Sequence, residues 1–347
     1  EREYRFFTGT RKAGTLNSRD YKWRPAANWE DVERSLEQEN EIAVIMSIEG
    51  AHVFNTGLEE FGRIVSESEV LDNIRKVKAW DYPPLFITFA HNFANGLCGH
   101  ARSLEPIKRF VDQSRDVDTG FTPLGEKVLH ELLSVDSGRR VYIDIKHMSL
   151  ASRKDYFRIL ERDYPGKIPP TVVSHGAVNG LSWEAGSSRP EGSQFYNSDI
   201  NFFDEEIVYI GRSEGLFAIQ FDARRIARED LVRKSYRSLC ANVDAVRSAR
   251  MIWNQVMHIA GVLDRAGLFA WGTACIGSDY DGTIDPLPGV WTAEYFPVLR
   301  EPLLDLASSY LSGPNMLTMP ENRTITPEEV VERFFMDNTV DFLRKFF

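Results

Sequence analysis

VYIDIKHMSLASRKDYFRILERDYPGKIPPTVVSH, residues 141–175, decides the fold. It opens on VYIDIKH, a short apolar run ending at His147, and closes on TVVSH, a second run ending at His175. Both are short, rich in β-branched residues and stopped by a polar residue, the pattern of a buried strand. Between them the apolar residues fall at helical spacing, and Ser149 stands where an N-cap belongs. The unit is strand, helix, strand, and each strand delivers a histidine at its C-terminal end. In open α/β sheets and in barrels that edge carries the chemistry. Imidazole is the commonest metal ligand, and two on consecutive parallel strands converge at one rim.

Working outward, the same alternation repeats. YRFFTGT (4–10) reads as a strand, ANWEDVERSLEQ (27–38) as a helix, and EIAVIMSIEG (41–50) as a strand ending at Glu49. A helical pattern covers 58–79, LFITFAH (85–91) is a strand ending at His91, and TPLGEKVLHELLS (122–134) is a helix with Thr122 as cap and Pro123 at its first position. Beyond His175 come a Gly/Ser-rich loop (176–200), a short helix at FDEEIVYIGRS, and the strand GLFAIQF (215–221). A long helical stretch over 229–266 follows, then a strand ending at Asp279 and Asp281, and a terminal helix capped by Thr326. Seven strands alternating with helices are the signature of α/β architecture with a parallel sheet. No composition break marks a second domain, so residues 1–347 read as one (β/α)-barrel domain.

Composition narrows the function. A formal charge of −10 with no offsetting Lys/Arg cluster argues against a nucleic-acid surface, and no apolar run approaches the length of a transmembrane segment. The three cysteines, Cys98, Cys240 and Cys275, form neither a disulfide framework nor a zinc-finger spacing. They lean towards a reducing, cytoplasmic compartment.

The strand ends gather Glu49, His91, His147, His175 and Asp279. Such a nitrogen and oxygen set suits zinc, manganese or a similar divalent ion. Two ions sharing a carboxylate and a water would acidify that water and polarise a scissile carbonyl, with an Asp moving the proton. The remaining histidines read as structural: His52 and His100 in loops, His130 and His258 within helices. Counted from His147, Lys146 falls on the opposite face of its strand, away from the metal. Cys98 has no local motif of a nucleophile.

These residues resemble the membrane (renal) dipeptidases, the M19 peptidases of the amidohydrolase superfamily. The matching stretches are SIEGAH at Glu49, FITFAHN at His91, FTPLGEKVLHEL before YIDIKHMS, VVSH at His175, GLFAIQF, IGSDYDG and ITPEEVVERFFMDN. The resemblance implies a (β/α)8 TIM barrel of the metal-dependent hydrolase type that cleaves dipeptides or similar small amides with a metal-bound hydroxide. It implies zinc, one or two divalent ions per chain. Glu49 would bridge the metals, with His147 and His175 completing one site. Asp279 would be both ligand and proton shuttle, and His91 would contact the substrate and the tetrahedral intermediate. The family often forms homodimers.

Two departures stand out. The family places a His-x-Asp pair on its first strand, and no histidine here is followed two residues later by Asp. YRFFTGT aligns with the family's second strand, so the expectation is a barrel without its first strand and an N-terminally incomplete chain. The family's carboxylate-binding Arg falls at Ile200, leaving Arg189 as the alternative guanidinium for the substrate. The alternatives are a related amidohydrolase acting on another amide or a lactone, and a catalytically silent ligand-binding barrel.

Overall fold

A computed structural model of the chain describes residues 4–5, 13–16, 19–59, 62–104, 107–185, 193–235, 241–314 and 317–347. Its centre is a parallel sheet of six strands in chain order: β4 (Ile48–Glu49), β5 (Phe86–Thr88), β6 (Tyr142–Asp144), β7 (Thr171–Gly176), β8 (Leu216–Ile219) and β9 (Ala274–Ile276). Sequential, parallel neighbours joined by helices are the α/β barrel arrangement. β4 continues the run begun by β3 (Glu41–Ile45), which pairs in parallel with β2 (Arg19–Ala26), while β1 (Ala13–Leu16) runs antiparallel on β2's other side. Among the described residues, β1 and β9 remain sheet edges and no ladder joins them.

The strand preceding β3 is therefore β2, not residues 4–10. Tyr4 and Arg5 are helical, and 6–10 lie outside the described residues. Tyr4 stacks on Trp80 with ring centroids 4.3 Å apart, and its hydroxyl accepts from the Tyr82 amide. β2 escaped notice because RDYKWRPA is mostly polar; Lys22, Trp23 and Arg24 are exposed, and pairing to β3 makes it a strand.

The helices start where their caps place them. Asn28, Ser66, Thr122, Ser149 and Thr326 each accept an amide from the first turn through the side chain. The helix expected over 58–79 spans only Glu67–Lys78, because Ser66 caps it. The 229–266 pattern divides into Glu229–Ser235 and Ala241–Arg265. The 17-residue helix Phe296–Ser312 holds Pro302 and packs on the second of these.

Strand alternation separates two cores. Ile87, Ile143, Ile145, Val173, Phe217 and Ile219 point outward into a large cluster with the surrounding helices. Phe86, Tyr142, Val172, Leu216, Ala218 and Cys275 point inward and meet Phe342 and Leu343 of the terminal helix and Phe347 at its end, which close that end of the barrel.

Above this apolar layer lies Asp144, fully buried. It accepts from Thr88 Oγ1 (2.5 Å), Ser174 Oγ (2.5 Å), the Ser174 amide (3.0 Å) and the Lys146 amide (3.0 Å). Each carboxylate oxygen thus takes two donors, and β5, β6 and β7 are tied together directly beneath the rim.

Candidate metal centre

Two backbone irregularities build the rim. Alternation from Tyr142 and Asp144 sends Lys146 inward and His147 outward. The ladder of β6 ends at Asp144, however, and His147 takes φ +65°. That left-handed turn brings its ring into the mouth. On β7, alternation from Val172 and Ser174 would turn His175 outward, but the register against β8 shifts between Val173 and Gly176. The bulge re-aims His175 inward. Glu49 ends β4 and is followed by Gly50 at φ +107°, where a Cβ would crowd His91 at 3.3 Å.

The Nε2 atoms of His147 and His175 are 3.2 Å apart, and Glu49 Oε1 lies 3.9 Å from the first and 3.7 Å from the second. These three ligand atoms form a group that can hold one metal ion. A tetrahedral ion with bonds of about 2.0–2.1 Å separates its ligands by roughly 3.3 Å, so the triangle is of the right size. The donor set is also right, two imidazoles and a carboxylate.

Protonation favours ligation. Ser174 Oγ gives its one proton to Asp144, so it accepts from His175 Nδ1–H at 2.8 Å. His175 Nε2 then carries a bare lone pair. Burial, reinforced by the charge of Lys146, holds both His147 and His175 well below the usual histidine range, so both are neutral. His147 Nδ1 is buried with no hydrogen-bond partner among the described residues. Burial and the nearby Asp144 raise the Glu49 carboxyl.

His91 stands beside this triangle. Its Nε2 is 3.6 Å from Glu49 Oε1 and 3.1 Å from Asn92 Nδ2, and its ring meets that of His147 edge-on at 4.8 Å. Asp279, at φ +61°, brings Oδ2 to 4.0 Å from His175 Nε2 and accepts from Gln220 Nε2 at 2.9 Å. Burial pushes the Asp279 carboxyl up to about 6, against the Gln220 hydrogen bond. All five strand-end residues therefore meet at one rim; Asp279 stands next to the three-ligand group rather than within it.

Lys146 requires a correction. It is 1% exposed and lies inside the barrel, not on the far face. Its Nζ reaches Gln220 Oε1 at 3.5 Å, one link from Asp279. The alternation was sound, but its proper anchor is Asp144, because His147 is the residue the backbone turns. Burial pushes the Lys146 ammonium down to about 7. Gln220 carried no sequence signal beyond its place at a strand end.

Arg189 lies outside the described residues. Ile200 is buried, and its neighbour Asn201 donates to the Arg225 and Tyr196 carbonyls. That segment is pinned by Arg153, which pairs with buried Glu206 at 2.6 Å and donates to the Met148, Asp199 and Asn201 carbonyls. His52 Nε2 donates to the Ala94 carbonyl at 3.2 Å, His130 sits with Tyr164 and with the Asp163 and Glu126 carboxylates in a second, more exposed group, and His258 pairs with Asp204 at 2.7 Å. Cys98 is buried and its thiol is pushed up by burial, which disfavours a nucleophilic thiolate.

Barrel and rim together define the class: an α/β fold shared with the metal-dependent amidohydrolases, with a His/His/Glu candidate metal site. Solved structures with this fold include an amidohydrolase from Pseudomonas aeruginosa (16% identity, 93% of this chain and 78% of that one, TM-score 0.55). Dipeptidase AC, a metallopeptidase of family M19, matches over 93% of this chain and 71% of its own at 15% identity and TM-score 0.57. A metallopeptidase from Rhodobacter sphaeroides, solved with a phosphinate mimic of the dipeptide L-Ala-D-Ala, matches over 94% and 69% at 15% identity and TM-score 0.56. At these identities the likeness is one of fold. No family model matches the sequence, and no curated protein matches it. No helix among the described residues is long and apolar enough to cross a membrane.

Proposed function

We propose that the protein is a zinc-dependent hydrolase of the M19 type that cleaves a dipeptide or a similar small amide. The observation that carries this reading is the meeting of Glu49 Oε1, His147 Nε2 and His175 Nε2 within one coordination triangle at the strand ends of the barrel. A divalent ion bound there would lower the pKa of water towards about 7 and polarise a carbonyl. Glu49, His147 and His175 would hold the ion, with the Asp279 carboxylate 4.0 Å from His175 Nε2 beside them. Asp279 also takes a proton from the attacking water and returns it to the leaving amine, a role its polar but half-buried position suits. His91 contacts the substrate and the oxygen that becomes negative as the carbonyl is attacked.

A second reading is favoured by Ile200, which is apolar and buried where the dipeptidases carry their carboxylate-binding Arg. It makes the substrate a small amide or a lactone without a free carboxylate at that position. One experiment tests both readings. Purified protein is assayed on a panel of dipeptides, blocked amides and lactones, with and without chelator, alongside His175→Ala. Hydrolysis of dipeptides that is abolished by chelator and by His175→Ala supports the first reading. Turnover confined to uncharged amides or lactones supports the second, and chelator-insensitive turnover refutes both.

A further inference from the structure

A second set of ligand atoms meets among the surrounding helices, apart from the rim. Glu126 and His130 stand one turn apart on the helix Pro123–Leu133, so their side chains share a face. Asp163 is the last residue of the helix Leu150–Asp163 and reaches the same place from the other side. His130 Nε2 lies 3.2 Å from Asp163 Oδ2 and 4.0 Å from Glu126 Oε1. Each of the three residues brings one ligand atom, all within 4.8 Å of one another. The other ring nitrogen, Nδ1, is 3.2 Å from the Tyr164 hydroxyl. A partner there keeps Nε2 turned to the carboxylates, as an outer partner does for a ligating histidine. A cation already stands at this position. Arg162 Nη2 contacts Glu126 Oε1 and lies 2.6 Å from Asp163 Oδ2, the same two oxygens that face His130, and Arg162 Nε donates to Asp163 Oδ1 at 2.7 Å. The Arg162 side chain is 54% exposed. An exposed guanidinium–carboxylate pair shifts an equilibrium by about fivefold at most, so a divalent ion has little to displace.

We propose that Glu126, His130 and Asp163 form a second divalent-metal site, which takes zinc or a similar ion and which the Arg162 guanidinium fills when no ion is bound. One imidazole and two carboxylates are a donor set suited to Zn2+, with water completing the coordination on the side open to solvent. The ligands come from two helices separated in the chain by β6, so the ion cross-links those helices. Its effect falls on stability, since none of its residues belongs to the rim. The site is weaker than one with buried ligands, because its side chains are partly exposed and a competing cation has to leave. The inference stands whether or not the rim is that of a hydrolase.

The test compares variants, so that whatever the rim binds cancels. The full chain is stripped with chelator and titrated calorimetrically with Zn2+ as wild type, His130→Ala, Glu126→Gln and Arg162→Ala. Wild type is expected to take one equivalent more than His130→Ala. Glu126→Gln weakens that equivalent by about tenfold, the scale of one ligand charge acting on a divalent ion near the surface. Arg162→Ala tightens it by about fivefold, because the competing guanidinium is gone. An ion that binds only the folded chain also stabilises it, so saturating zinc raises the melting temperature of wild type more than that of His130→Ala. Melts of the metal-free proteins establish that each variant is folded; should His130→Ala fail to fold, Glu126→Gln carries the comparison. Equal equivalents in wild type and His130→Ala, or an extra equivalent seen only at millimolar zinc, would overturn the site. Unchanged or weaker binding in Arg162→Ala would overturn the exchange of ion for guanidinium on which the proposal depends.

Discussion

At the closed end of the barrel, Tyr142, Val172, Leu216 and Ala218 obey strand alternation and pack against Phe342, Leu343 and Phe347. At the open end, further along β6 and β7, alternation fails. His147 is turned by a left-handed backbone angle and His175 by a shift in register. The regular end contributes apolar burial, and the irregular end places ligand atoms. Asp144 lies between the two and accepts from the strands on both sides and from its own segment at Lys146, so the irregularity starts above a fixed layer. The comparison teaches that the chemistry is set by departures from strand geometry, held over a part of the sheet that does not depart.

If the ends are separate in this way, damage to the closed end should cost stability and leave metal binding alone. Phe342 is nearly fully buried and meets the Tyr142 and Phe346 rings at 6.0 and 5.1 Å. Phe342→Ala is expected to destabilise the fold by about 3–5 kcal/mol in urea unfolding. Zinc affinity measured well below the unfolding midpoint should stay at the wild-type value. A parallel loss of affinity would show that the terminal helix shapes the rim and would end the separation.

The open end predicts the reverse. Ser174→Ala removes the hydroxyl that receives His175 Nδ1–H and passes its own proton to Asp144. Losing the outer partner of a metal-binding histidine typically weakens the metal by about 10–100-fold. The loss of stability should be smaller than for Phe342→Ala, about 1–3 kcal/mol, because the buried Asp144 Oδ2 loses one of its two donors. Unchanged zinc affinity in this variant would mean that the His175 tautomer is not set from behind.

How much of this was legible in the sequence follows the same division. The strands were read from β-branched apolar runs, and burial bears them out at β5 to β8. Glu49, His91, His147, His175 and Asp279 were found because each stands at the end of such a run, and the rim does bring them together. What escaped was decided across strands. β2 becomes a strand through its pairing with β3, and nothing in its polar sequence announces that. The inward aim of Lys146 follows from alternation only once the turn at His147 is known, and that angle has no local signal in IKHMS. Gln220 matters because Lys146 and Asp279 flank it, residues 74 and 59 positions away in the chain.

The sharpest test of the comparison separates the backbone of His147 from its imidazole. A non-glycine residue at φ +65° carries a conformational cost of roughly 1–2 kcal/mol that glycine does not. His147→Ala and His147→Gly both lose the ligand and should both lose zinc. They should differ in stability, with the glycine variant the more stable by about 1 kcal/mol in metal-free unfolding. Elsewhere in a chain that order reverses, since glycine gives the unfolded state more freedom to lose. An alanine variant as stable as the glycine one would mean that the strand relaxes to regular geometry once the ring is gone. The turn would then be imposed by the imidazole's contacts at the rim. A more stable glycine variant would mean that the turn is built into the end of β6, and the histidine occupies a conformation the fold has already fixed.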